Sequence, residues 1–210
     1  MLKGIIFDFD GVIAESVQVK SDAFAELYQP YGFDIVKKVV EHHEANGGMS
    51  RFKKIKYYHE SYLNYRICKE EIMELAGQFS NLVVEQVIAS PYVPGALEYI
   101  KKSYGKYKLF ISTGTPTEEI KKILKRRNIL QYFLGIYGSP ESKINHIKSI
   151  IDIHKFSPIE LLFFGDSPTD WEAAKANDIT FILRSHDANC AYFKDYDGKN
   201  INNFYSLNIL

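Results

Sequence analysis

The sequence predicts an α/β protein: a Rossmann-like three-layer parallel sheet core carrying an inserted α-helical cap. Three observations point there. Short, almost wholly apolar runs stand at the start of the chain and recur through its second half, with amphipathic helical stretches between the later ones. The polar residues that could do chemistry fall at the carboxyl ends of those runs, where open α/β sheets bind ligands. The stretch 16–89 has no β pattern and reads as several helices, too long for a simple crossover.

The first run, residues 2–9, reads as a buried strand ending in Asp8-Phe9-Asp10-Gly11. Packing alone gives a buried strand no reason to end in two carboxylates. In the insert, Phe24, Leu27 and Tyr28, then 55–63, then 72–87 carry the apolar and aromatic positions, and Gly47-Gly48 marks a loop. Pro91 and Pro94-Gly95 mark the exit. Residues 109–111 read as a second strand, followed by Ser112-Thr113-Gly114. A helix follows over 117–127, acidic at Glu118-Glu119 and basic from Lys121 to Arg127, as the helix dipole prefers. Residues 134–137 make a short strand. Residues 143–153 place Ile144, Ile147, Ile150 and Ile151 on one helical face. Residues 160–164 form a strand leading to Gly165-Asp166-Ser167-Pro168, 169–176 a helix, and 179–183 a last strand. The tail after His186 is weakly patterned and is expected to wrap the core or fray. The expected organisation is a core of 1–15 and 90–210 and a cap of 16–89.

Composition narrows the function classes. The 210 residues suffice for one core plus a small accessory unit. Lys plus Arg and Asp plus Glu each number 26, and this zero net charge argues against a nucleic-acid surface. No apolar run approaches membrane-spanning length. The strand beginning beside Met1 leaves no room for a secretory leader, so the cytoplasm is the expected location. Cys68 and Cys190 form no CxxC pair, which fits ordinary thiols in a reducing compartment rather than a disulfide or a thiolate zinc site. Adjacent residues do not face one another on a helix, so His42-His43-Glu44 is expected to be surface rather than a zinc cluster.

Two carboxylates one residue apart at a strand end suggest a metal, a nucleophile or both. A carboxylate can attack phosphorus, provided a metal and a lysine screen the anionic charge. A second acid nearby can protonate the leaving alkoxide. Gly11 and Gly114 permit close backbone approach to a ligand, and their N–H groups could bind phosphate oxygens.

These motifs together resemble the haloacid dehalogenase superfamily of aspartate-nucleophile phosphatases, in its branch with a helical cap between the first two motifs. The four motifs are Asp8-Phe9-Asp10-Gly11, a strand ending at Thr113 (with Ser112 as rival), Lys143 at a helix start, and Gly165-Asp166-Ser167-Pro168-Thr169-Asp170. They occur in order over residues 1–186. The resemblance implies that Asp8 is the nucleophile and forms an aspartyl-phosphate, and that Asp10 is the general acid and then the base for water. It implies that Thr113, Lys143 and the amides of Gly11 and Gly114 hold the phosphoryl oxygens. A Mg²⁺ ion would be held by Asp8, the Asp10 carbonyl, Asp166 and Asp170. Keeping Asp10 tells against carbon–halogen cleavage.

Substrate choice would rest on the cap, with His42, His43, Asn46, Arg51 and Lys54 as candidates. Arg51 and Lys54 are carried as substrate-binding residues, although Lys53-Lys54 also reads as a plain solvated pair. Glu15 and Ser16 could line the pocket mouth and Arg184 its rim. Tyr57, Tyr58, Tyr62 and Tyr65 are expected in the cap core or interface, and Trp171 at a packing site. The expected activity is hydrolysis of a small phosphorylated metabolite, such as a sugar phosphate or a phosphoglycolate-like acid. The alternatives are a sugar phosphomutase or a non-catalytic binding protein on the same scaffold. A monomer or homodimer is expected.

Overall fold

The computed structural model describes residues 1–205 and Leu207. Six parallel strands form one sheet: β1 (Gly4–Phe7), β2 (Lys108–Pro116), β3 (Gly135–Ser139), β4 (Leu161–Gly165), β5 (Thr180–Arg184) and β6 (Asn200–Ile201), in the order β3-β2-β1-β4-β5-β6. The chain builds outward from β1 in one direction, then returns to its other side. The strand order therefore switches between β1 and β4, and a crevice opens at their carboxyl ends.

Side chains alternate across each strand, and both sets are apolar. Ile5, Phe7, Leu109, Ile111, Leu162 and Phe164 enter one core. Ile6, Phe110, Leu161 and Phe163 enter the other. The first core is covered by α5 (Ala96–Ser103) and α6 (Thr117–Arg126), through Ile100, Ile120, Ile123 and Leu124. The second is covered by α7 (Lys143–His154) and α8 (Pro168–Ala176), through Ile147, Ile150, Ala173 and Ala174. Three layers result because a strand with no polar face must be buried on both sides. Phe7 stacks on Phe164 with ring centroids 5.3 Å apart, at the centre of the first core.

Between β1 and α5 lie α1 (Val17–Tyr28), α2 (Phe33–Ala45), α3 (Arg51–Tyr62) and α4 (Lys69–Ala89). Phe24, Tyr28, Val39, Ile55, Tyr58, Phe79 and Val83 fill their interior. Tyr58 stacks on Tyr62 and meets Tyr57 edge-on, so these three pack together, and Tyr65 instead meets His59. The chain enters and leaves this helical insert through two antiparallel segments. Glu15 N donates to Pro91 O at 2.9 Å, and Val93 N donates to Ile13 O at 3.0 Å. No helix among the described residues is long and apolar enough to cross a membrane.

Several details depart from the sequence reading. β1 spans four residues, because the chain turns sharply after Phe7. β2 runs on through Ser112, Thr113 and Gly114 to Pro116, so these residues lie within the strand rather than beyond it. The tail adds β6 to the sheet edge and buries Phe204 beside Phe7. Cys68 and Cys190 are both exposed. Trp171 packs against Phe193 and Tyr196, with Lys175 over its ring.

Buried His146 on α7 hydrogen-bonds the Ser112 hydroxyl through Nδ1 at 3.0 Å and the Gly138 carbonyl through Nε2 at 3.2 Å. Burial pushes it down to about 4. Its folded value thus lies below its unfolded one, so the unfolded chain takes up the proton first as pH falls. The contribution is full above the unfolded value and is lost as pH drops from about 6.5 to about 4. His146→Gln should therefore remove about one proton from the pH slope of unfolding free energy in that window. Denaturant melts at several pH values measure it.

Candidate active site

The crevice between β1 and β4 gathers four aspartates, Asp8, Asp10, Asp166 and Asp170, and three lysines, Lys20, Lys54 and Lys143. Asp8 follows β1. Its N–H donates to Phe164 O at 2.9 Å, which docks it against β4. The chain then turns: Ile13 N and Ala14 N both donate to Phe9 O, at 2.9 and 3.0 Å. Gly11 has φ +73° in this turn, and a Cβ there would collide with the Asp166 carboxylate. Both constraints require glycine.

Asp8 is buried, and its Oδ2 accepts from Lys143 Nζ at 2.6 Å. The same ammonium donates to Asp170 Oδ1 at 2.6 Å. Lys143 is the first residue of α7, capped by Ser142, whose hydroxyl accepts from Asn145 N. The helix dipole disfavours a cation there; two carboxylates offset it. Burial pulls Lys143 down, but Asp170 and Asp8 outweigh it and hold it above the usual lysine range, fully charged. Burial pushes Asp8 up to about 7 against the pull of Lys143. Burial likewise raises Asp166 and Asp170.

Asp8, Asp166 and Asp170 each bring a carboxylate oxygen within 4.8 Å of the others. Two of these three buried carboxylates share one ammonium and the third has no lysine or arginine partner, which leaves a negative surplus, and every donor is oxygen. That set fits a hard divalent cation. Asp170 is the most constrained: its Oδ2 also accepts from Ser167 N at 3.1 Å and Ser167 Oγ at 2.6 Å.

The Asp10 carboxylate points elsewhere. It accepts from Ser16 Oγ at 2.6 Å and is ion-paired with Lys20 on α1. Lys20 Nζ also donates to Thr115 Oγ1 at 2.8 Å. The two aspartates of the first motif are thus separated, one facing the core lysine and the other the insert.

Thr113 and Gly114 line the cleft. Ser112 does not: alternation along β2 turns it to the opposite face, where it meets His146. This corrects the expectation that Ser112 binds phosphate.

The insert lies directly over these groups. Thr169 Oγ1 donates to Gly47 O at 2.6 Å. A Cβ on Gly114 would lie 2.5 Å from Gly48 O, and one on Gly48 would lie 2.6 Å from Lys143 Nζ. Arg51 and Lys54 both reach the cleft wall and are buried. Arg51 makes a two-pronged ion pair with Glu119 of α6, at 2.5 and 3.0 Å, closed by Ser80. Lys54 is not a solvated neighbour of Lys53; its Nζ meets His43 Nδ1 at 2.8 Å and His43 O at 3.1 Å.

His43 is buried in the same wall rather than on the surface. His42 stacks on Tyr57, and the Asn46 side chain turns back to the His42 carbonyl, so neither lines the cleft. Arg184 is pinned by Glu15 instead of standing at the rim.

Lys20, His186 and Asn189 were missed in the sequence. His186 Nε2 lies 3.0 Å from Asp166 Oδ2, and Asn189 Nδ2 donates to Asp166 O at 2.8 Å. A positional signal existed for two of them. Lys20 is four residues beyond Ser16, one helical turn on. His186 stands two residues beyond β5, at the carboxyl end where the other site groups gather.

The chain belongs to the haloacid dehalogenase-like hydrolase family, whose model matches residues 5–184. It is 27% identical over 192 residues to a phosphorylated carbohydrates phosphatase of Thermotoga maritima, covering 86% of this chain and 84% of that protein. It is 25% identical over 183 residues to a phosphoglycolate phosphatase of Vibrio vulnificus, covering 83% and 79%. Its fold is similar to that of a β-phosphoglucomutase from Clostridium difficile, with a TM-score of 0.79 at 18% identity, covering 100% of this chain and 94% of that one.

The Arg51–Glu119 pair joins insert to core with both side chains largely out of water. Glu119→Ala strands the guanidinium and should lower stability by about 3 kcal/mol or more. The double variant Arg51→Met/Glu119→Leu should recover most of that loss. A double-mutant cycle of denaturant melts measures both.

Proposed function

We propose that the protein is a Mg²⁺-dependent phosphomonoester hydrolase of small phosphorylated metabolites, working through an aspartyl-phosphate. The observation that carries this is the Lys143 ammonium bridging Asp8 and Asp170 beside Asp166, with Asp10 held apart by Ser16 and Lys20. Asp8, Asp166 and the Asp10 carbonyl would hold the cation, with Asp170, oriented by Ser167, beside them. When bound, the cation neutralises phosphoryl oxygen charge and favours the ionised form of Asp8.

The residues then divide the work. Asp8 attacks phosphorus, forming its O–P bond as the bond to the leaving oxygen breaks. Asp10 gives that oxygen its proton. Asp10 next takes a proton from water as the water attacks phosphorus, releasing inorganic phosphate and restoring Asp8. Lys143, the Thr113 hydroxyl and the Gly11 and Gly114 amides screen and orient the phosphoryl oxygens. The closed insert keeps other water away.

A phosphomutase that returns the phosphoryl group to its product would use the same residues. Closure of the Gly47-Gly48 loop over Lys143 is the observation that favours it.

Phosphate release from an aryl phosphate should require added Mg²⁺, stop with EDTA, and fall by about a thousandfold or more in Asp8→Asn. Turnover persisting through both changes rejects the mechanism. Free phosphate scored against isomerised product, over a panel of sugar phosphates, separates hydrolase from mutase. Mg²⁺ should also raise the melting temperature of the wild type and not that of Asp166→Asn, since only a folded site binds it.

A further inference from the structure

The charges around the cleft pair off with one exception. Lys143 is matched by Asp8 and Asp170, Lys20 by Asp10, and Arg51 by Glu119. Lys54 is 1% exposed, yet among the described residues it has no carboxylate partner. Its contacts are the ring nitrogen and carbonyl of His43. The ammonium has a third donor. Around it the wall is apolar, with Phe24, Phe79 and Met49. A buried cation without a counter-charge is strongly unfavourable. Burial, with Lys20 and Lys143 adding repulsion, holds Lys54 well below the usual lysine range.

We propose that Lys54 and His43 receive a carboxylate on the leaving group of the substrate, so that the protein acts on phosphorylated hydroxy acids. This rests on the phosphatase reading above. His43 Nδ1 accepts from the ammonium, so the neutral ring carries its hydrogen on Nε2, which makes no hydrogen bond among the described residues. The pair therefore holds one positive charge and two spare donors, the complement of a carboxylate's single charge and two oxygens. A second phosphate would bring more charge than one lysine balances, and the other cations of the cleft wall, Lys20 and Arg51, are already paired with Asp10 and Glu119. Arg51 thus clamps the insert to the core, and Lys54 selects the substrate. An arriving carboxylate also favours the charged ammonium, against the burial that disfavours it.

The test compares kcat/KM for phosphoryloxyacetate and 3-phosphoryloxypropanoate with their primary amides, which keep the shape and remove the charge, and with an alkanediol bisphosphate. The wild type should prefer acid over amide by about 30-fold or more. In Lys54→Met that ratio should fall to about one, and in Lys54→Gln to an intermediate value. The variants' melting temperatures report on folding, and if neither folds the wild-type ratio decides alone. A wild-type ratio near one, a ratio unchanged in Lys54→Met, or preference for the bisphosphate each overturns this inference while leaving the phosphatase reading intact. Release of phosphate from none of these esters overturns the inference, and absence of aryl phosphate hydrolysis as well overturns that reading with it.

Discussion

The ammonium of Lys143, set between Asp8 and Asp170, is the contact on which the rest of the site depends. It joins β1, α7 and α8, three elements far apart in sequence, at one buried point. Without it the crevice would hold three carboxylates with no lysine or arginine against them, and burial would drive them towards their neutral forms. With it, Asp8 keeps an ionised fraction in a dry setting. The lysine tolerates its unfavourable place at a helix N-terminus only because those carboxylates are there. The two arrangements sustain one another, and neither side could be replaced alone.

Around this point the protein distributes polar contacts between core and insert. The core supplies Asp8, Thr113, Lys143, Asp166 and Asp170. The insert supplies Lys20, which turns Asp10 away from the anionic cluster, and Arg51, which reaches across to Glu119. The two aspartates of the first motif thus sit in different electrostatic surroundings, one facing the carboxylate cluster and one facing a separate lysine. Such a division suits a pair in which one group attacks and the other moves a proton.

The core was legible in the sequence because its strands are apolar on both faces and end in chemistry. Each of the five strands expected is present, and family membership follows the motifs that the sequence displays. The insert was legible as helices but not in its contacts. Nothing in the local pattern distinguishes Lys54 from Lys53 or His43 from His42, because which face of a helix meets the core depends on packing with distant elements. Ser112 and Thr113 were separable only once the register of β2 was known, since neighbouring strand residues face opposite ways. β6 and the His186–Asn189 turn escaped notice for a related reason: their order comes from docking on β5 and Asp166, not from any periodicity of their own.

The two segments that carry the insert are stitched together by the hydrogen bonds from Glu15 N to Pro91 O and from Val93 N to Ile13 O. A body hung from two joined strands can rotate about their common line, but it cannot easily slide or twist away from it. The Phe9–Ala14 turn that positions Asp8 and Asp10 is continuous with one of those strands. The axis of any opening therefore passes beside the reacting carboxylates. Displacement grows with distance from that line, so contacts across the cleft, such as that of Thr169 with Gly47, open further than the Glu15–Pro91 stitch itself. Admission of a ligand and preservation of the reactive geometry are thereby separated by distance from a single axle.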